Sequence, residues 1–126
     1  MKGLYTILFC IAAVAVGAVS DGLNDDGAKY IGHLLGALEV GLLISGAFIL
    51  DLKRRDWLAF FLTYVFWRMV GFDLIYNVTR SLPILYTGAS SYWDAFLSKQ
   101  LPQGIVFARV IIAGLAVGIP LKHIND

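Results

Sequence analysis

Four apolar stretches, 4–20, 30–50, 57–77 and 105–121, run through most of the chain. Crossing the hydrocarbon core of a bilayer takes roughly 17 to 25 helical residues, and each stretch falls within that range. In lipid a backbone N–H or C=O finds no water, so each spanning segment must close its hydrogen bonds internally. The expected fold is therefore all-α: one domain over residues 1–126, an integral membrane bundle of four transmembrane helices. Composition agrees. With 59% hydrophobic and 15% charged residues, too few polar side chains remain to coat a soluble domain of this length. The lipid bilayer is the first partner this implies. A formal net charge of +1 and a single basic run, Lys53-Arg54-Arg55, give no field that would favour nucleic acid.

The connections assign sides. Lys2, Lys53, Arg54, Arg55 and Lys122 fall at one end of four alternating helices. Lys29, Arg80 and Lys99 fall at the other, together with Asp21, Asp25, Asp26 and Asp94. The positive-inside rule then places both termini in the cytoplasm of a multi-pass protein of the inner (plasma) membrane. A second reading of the first segment stays open. Lys2, the apolar stretch and Ala18-Val19-Ser20 before Asp21 also fit a cleaved secretory signal, although the stretch is long for one. The lone cysteine, Cys10, lies mid-segment after the bulky Phe9. It can form no internal disulfide and lacks the small neighbour a lipid-attachment site needs.

Charged residues inside these segments carry most of the functional information, because an ionisable group at membrane depth is costly. Counting 1.5 Å per residue from the outer ends, Glu39 lies about 13 Å down the second helix and Arg68 about 14 Å down the third. Asp73 and Arg109 lie roughly 6 Å in on the third and fourth. Sign and depth therefore match Glu39 with Arg68 and Asp73 with Arg109. On the insertion scale the third segment's apolar residues contribute about −3 to −6 kcal/mol, and each central charge costs about +2.5 to +3.5. That segment is near break-even alone and needs its partners. Arg68 and Asp73 are five residues apart, about 140° around a helix, so they should pair outward and not with each other.

Gly32, Gly36, Glu39, Leu43 and Gly46 recur at spacings of three and four, a seam along which another helix can approach closely. His33, Ala37, Gly41 and Ser45 form a second stripe of mostly small residues. His33 with Asp25 or Asp26 matches no zinc-ligand spacing, so no metal and no cofactor is expected. Asp21, Asp25 and Asp26 read as a solvated turn, since Asp21-Gly22 and Asp26-Gly27 are turn dipeptides. Asp73, Tyr76, Asn77 and Arg80 share a helix face that leads toward Tyr86, Ser90, Ser91 and Asp94 in the one long connection. Within that connection residues 92–99 suit a short interfacial helix, a lid of aromatic rings and charged tips. The expected site is a polar pocket in the outer third of the bundle.

The pattern Arg68-x3-Phe72-Asp73-x2-Tyr76-Asn77, followed by Pro83-x2-Tyr86-x-Gly88-x-Ser90-Ser91-x2-Asp94, resembles a family of uncharacterised small integral membrane proteins of bacteria and their phages. The resemblance covers the third segment and the loop after it. It implies a membrane protein and draws attention to Asp73, Tyr76 and Asn77, and it implies no activity, cofactor or ligand. Ala37-Leu38-Glu39-Val40 is similar to the glutamate context of small multidrug-resistance transporters. Here, however, the glutamate is on the second helix and two arginines share the membrane, so that likeness is set aside.

Two kinds of role remain open for Glu39, Arg68, Asp73 and Arg109. The pairs can simply fix helix register, or they can form a site for a ligand, a proton or a partner helix. The leading expectation is a non-enzymatic membrane component with a polar interior, alone, as a homo-oligomer or as an accessory subunit of a larger membrane complex. A small secondary transporter is one alternative. A membrane-embedded enzyme acting on lipid headgroups is another, with Asp73 as general base and Arg80 or Arg109 on phosphate. A holin is compatible with the size but needs few buried charges.

Overall fold

The computed structural model describes residues 1–84, 86 and 102–124. Among them it is all-helical: α1 Lys2–Asp25, α2 Lys29–Ile49, a single 3-10 turn Arg54–Asp56, α3 Trp57–Thr79 and α4 Pro102–His123. All four long helices are apolar and long enough to cross a membrane. The proposed interfacial helix at 92–99, with Asp94, Ser90 and Ser91, lies outside the described residues.

Three of the helices end by the same device. The residue after the C-cap turns left-handed at Gly27 (φ 92°), Asp51 (φ 48°) and Ser81 (φ 55°). The next N–H then reaches back five residues, Ala28 to Leu23, Leu52 to Ala47 and Leu82 to Asn77, at 2.9, 3.2 and 2.8 Å. This closure satisfies carbonyls that a helix C-terminus otherwise leaves bare. Asp26-Gly27 is thus a turn, as its dipeptide suggests. Asp21-Gly22 is not: α1 runs through it without a break.

α1 is the centre of the bundle. It packs against α2, α3 and α4, and α3 also packs against α4. Half of its spanning window is buried, against 17% for α2 and α3 and 11% for α4. Small residues on α1 (Gly3, Ala13, Gly17, Ala18, Gly22) are among its buried set and let three neighbours approach one helix. Ser20, at the end of the possible signal sequence, is buried inside α1, and its hydroxyl donates to the Gly32 carbonyl of α2 at 2.6 Å. The segment that also fits a leader packs against all three of the other long helices.

The Gly32–Gly46 seam of α2 does face a neighbour, and that neighbour is α1. A Cβ at Gly32 would overlap the Asn24 side chain, and one at Gly46 would sit 3.0 Å from the Phe9 ring. The second stripe looks outward, with His33, Ala37 and Gly41 exposed.

Apolar packing and polar packing occupy opposite ends. The apolar core (Cys10, Ala47, Leu50, Leu52, Ala59, Phe60 and Ile124) lies at the end that carries the termini and the Arg54–Asp56 turn. There Lys2 Nζ donates to the Asp51 carbonyl at 3.2 Å, and a Cβ on Gly3 would press against Pro120. The first and last helices thus begin and end together. This basic end holds Lys2, Lys53, Arg54, Arg55 and Lys122. The other holds Asp21, Asp25 and Asp26, and below it lie the charges of the candidate site.

Candidate functional site

The extra length of α1 is what builds this site. At 1.5 Å per residue its 24 residues span about 36 Å, more than the ~30 Å hydrocarbon core. Its last turns carry Gly17, Asp21 and Asp25 on one face at four-residue spacing. Opposite them α3 presents Tyr64, Arg68, Phe72, Tyr76 and Arg80, again at intervals of four. Two stripes face each other, one of carboxylates and one of alternating cations and rings.

At the deep end, Glu39 of α2 meets both. Tyr64 donates its hydroxyl to Glu39 Oε1 at 2.5 Å, and Arg68 Nη1 donates to the same oxygen at 3.0 Å and to the Tyr64 oxygen at 3.0 Å. Arg68 Nη2 lies 3.9 Å from Asp21 of α1. Its guanidinium carbon sits 4.2 Å over the Phe72 ring, and Phe72 is stacked with Tyr76, centroids 6.1 Å apart. The floor beneath Glu39 is Gly17, where any Cβ would overlap the carboxylate. One arginine thus takes two carboxylates from two helices, a phenol and an aromatic face.

At the shallow end, Arg80 Nε lies 3.0 Å from Asp26 and Arg80 Nη1 3.7 Å from Asp25, and Tyr76 donates its hydroxyl to Asp25. Among the carboxylates exposure drops toward the deep end: Asp25, Asp26 and Asp21 are 54, 49 and 52% exposed and Glu39 16%, while Arg80 and Arg68 are 29 and 39% exposed. The flank between α2 and α3 is therefore open at the acidic end and closes on Glu39 and Tyr64. At the opposite end α2 and α3 are joined by the Phe48–Trp57 edge contact, 6.1 Å between centroids.

A second pair is separate. Arg109 of α4 reaches Asp73 of α3 at 3.2 Å and also donates to the Val70 carbonyl. Both pairs singled out by sign and depth, Glu39 with Arg68 and Asp73 with Arg109, are thus present.

The four residues expected on one face of α3 split three ways. Asp73 turns to α4, while Tyr76 and Arg80 turn to α1. Asn77 is buried and donates to the Ile84 and Tyr86 carbonyls at 3.0 and 2.8 Å, pinning the start of the long connection over the end of α3. The single outer pocket is thus two ionic clusters and a loop clamp. The spacing from 73 to 80 spreads over a helical arc wide enough to touch three neighbours. His33 is exposed on α2 and stands outside the clusters. Asp94 lies outside the described residues.

The solvated-turn reading holds for Asp26 and needs correction for Asp21 and Asp25, which are helical; all three, though about half exposed, lie within 4 Å of Arg68 or Arg80. Tyr64 and Phe72 were missed as well. The signal was in the sequence, in the unbroken four-residue ladder from Tyr64 to Arg80. Among the described residues, no three His, Cys, Asp or Glu side chains are arranged to hold a metal ion. No family model, curated protein or solved structure matches the chain.

Proposed function

We propose that this chain is a small multi-pass protein of the inner (plasma) membrane whose polar flank, between α2 and α3, is a ligand-binding cleft entered from the acidic end. The observation that carries the reading is the 39% exposure of Arg68, which lies well inside the α3 span, beneath the half-exposed Asp21 near the end of α1. Charges left that open against acyl chains would be costly, so water or a polar ligand must fill the flank. A purely register-fixing pair would be better served by full enclosure. The excess of basic residues at the other end supports cytoplasmic termini, which makes the cleft face outward.

The lipid-headgroup enzyme gains less support. It needs Asp73 free as a base and Arg80 or Arg109 free for phosphate, yet Arg109 is engaged by Asp73, and Arg80 by Asp25 and Asp26. A transporter would use the same cleft with a second exit. Assembly into a homo-oligomer or a larger complex fits the broad apolar faces of α2 and α4, including Leu34, Leu38, Phe107 and Val110.

Thiol labelling tests the cleft. In a Cys10→Ala background, Asp21→Cys and Phe72→Cys are expected to react with a membrane-impermeant maleimide added from the acidic end alone. Leu38→Cys, on the lipid face of α2, is expected to stay unlabelled. Failure of both cleft positions to react, in protein of normal helix content, would refute the reading.

A further inference from the structure

The arginines of the spans are all paired: Arg68, Arg80 and Arg109 each meet a carboxylate on another helix. The end that carries the termini is different. There Lys53, Arg54 and Lys122 are exposed, and among the described residues none of the three has an ion-pair partner. Arg55 lies 3.5 Å from Asp56, yet its side chain is 74% exposed while that of Asp56 is 6%. In the sequence Lys2, Lys53, Arg54, Arg55 and Lys122 outnumber Asp51, Asp56 and Asp126 at this end, Asp126 lying outside the described residues. The surplus is presented to the surroundings.

Packing fixes where these cations stand. Leu52, beside Lys53, and Ile124, two residues past Lys122, are buried in one apolar cluster. The α2–α3 link and the last turn of α4 therefore share one rim of the bundle. Trp57 sets the depth of that rim. Its ring is exposed, its indole N–H donates to the Leu52 carbonyl at 3.1 Å, and it meets Phe48 edge-on. A tryptophan at the end of a span marks the boundary between hydrocarbon and headgroups. Lys53, Arg54 and Arg55 come just before it, at the level of lipid phosphates. Exposed Phe48 beside it, and exposed Phe61 one turn deeper on α3, continue an apolar surface below. A soluble anion uses only the cations, and a neutral lipid only the rings. A molecule with a negative head and an apolar tail uses both.

Resting on the membrane reading above but not on the cleft, we infer that this rim binds an anionic phospholipid of its own leaflet. The phosphodiester is taken by Lys53, Arg54 and Arg55, guanidiniums being suited to paired hydrogen bonds with phosphate oxygens. One acyl chain lies along Phe48, Trp57 and Phe61, and Lys122 adds to the attracting field. Each cation near the surface is worth about fivefold in association with an anionic lipid.

The test is native mass spectrometry of the full chain in a neutral detergent, titrated with phosphatidylglycerol and, separately, with phosphatidylcholine. The first phosphatidylglycerol is expected to bind at least about fivefold more tightly than phosphatidylcholine. The double variant Lys53→Gln, Arg54→Gln is expected to weaken it about tenfold or more, whereas Lys53→Arg should keep it. Lys29→Gln, at the opposite end, should leave it unchanged. All three positions are exposed, so the fold is not at stake, and circular dichroism checks this.

Equal affinity for the two lipids, or a preference that the double variant retains, overturns the inference. So does glycerol 3-phosphate binding as tightly as the lipid, since the rim would then take a soluble phosphate. A chain that stays soluble without detergent would defeat the membrane reading. One that needs detergent and binds both lipids alike would defeat this inference alone.

Discussion

Replacing Arg109 by leucine is expected to destabilise the bundle by about 3 kcal/mol, the lower end of the range for breaking a buried ion pair. The substitution removes the guanidinium that lies 3.2 Å from Asp73 and that also donates to the Val70 carbonyl. Both side chains are largely enclosed, at 13% and 23% exposure, so water cannot replace what is lost. α4 is the least buried of the four spans, and these polar contacts join it to α3. The double substitution Asp73→Leu with Arg109→Leu should recover most of the loss, because an apolar pair of similar volume carries no desolvation cost. Unfolding midpoints in detergent, compared across the native chain, Arg109→Leu and the double variant, decide it.

Gly17→Ala is the second substitution with a large expected effect, and its sign depends on another residue. In the native chain a Cβ at position 17 overlaps the Glu39 carboxylate. The carboxylate is the end of a flexible side chain, so it moves aside and leaves Tyr64 and Arg68. The expected cost is about 2 kcal/mol, the loss of the pair less the gain of about 1 kcal/mol in helix propensity. In a Glu39→Ala background the atoms that crowd position 17 most closely are gone. There Gly17→Ala should stabilise by the propensity term alone. A reversal of sign between the two backgrounds, read from the same melting curves, is a result that simple overpacking of the α1–α2 seam would not produce.

Much of this architecture was legible in the residues, for identifiable reasons. Long apolar runs set the number of spans because lipid forbids unsatisfied backbone. Depth and sign paired Glu39 with Arg68 and Asp73 with Arg109, because only an opposite charge at the same level can neutralise a buried one. The glycine seam of α2 was visible because close approach excludes a side chain. The limits of α1 were not legible. Hydropathy falls at Asp21, and a reading based on hydropathy ends the helix there, although helical hydrogen bonding continues to Asp25. Asp21 and Asp25 are met there by Arg68 and Arg80 of α3, a tertiary contact that no local pattern contains. The same limit hid the division of Asp73, Tyr76, Asn77 and Arg80 among three neighbours. A shared helix face does not say which helix lies opposite each part of it.

The claim beneath all of this is that charged groups on adjoining helices satisfy one another inside the span. A double-mutant cycle on Glu39→Gln and Arg68→Gln tests it most directly, with stability measured for the native chain, each single variant and the double. Mutual satisfaction predicts a coupling energy of at least about 1 kcal/mol, the double variant losing less than its two parents together. Losses that add to within about 0.3–0.5 kcal/mol would mean the two residues act independently, and the account would fail.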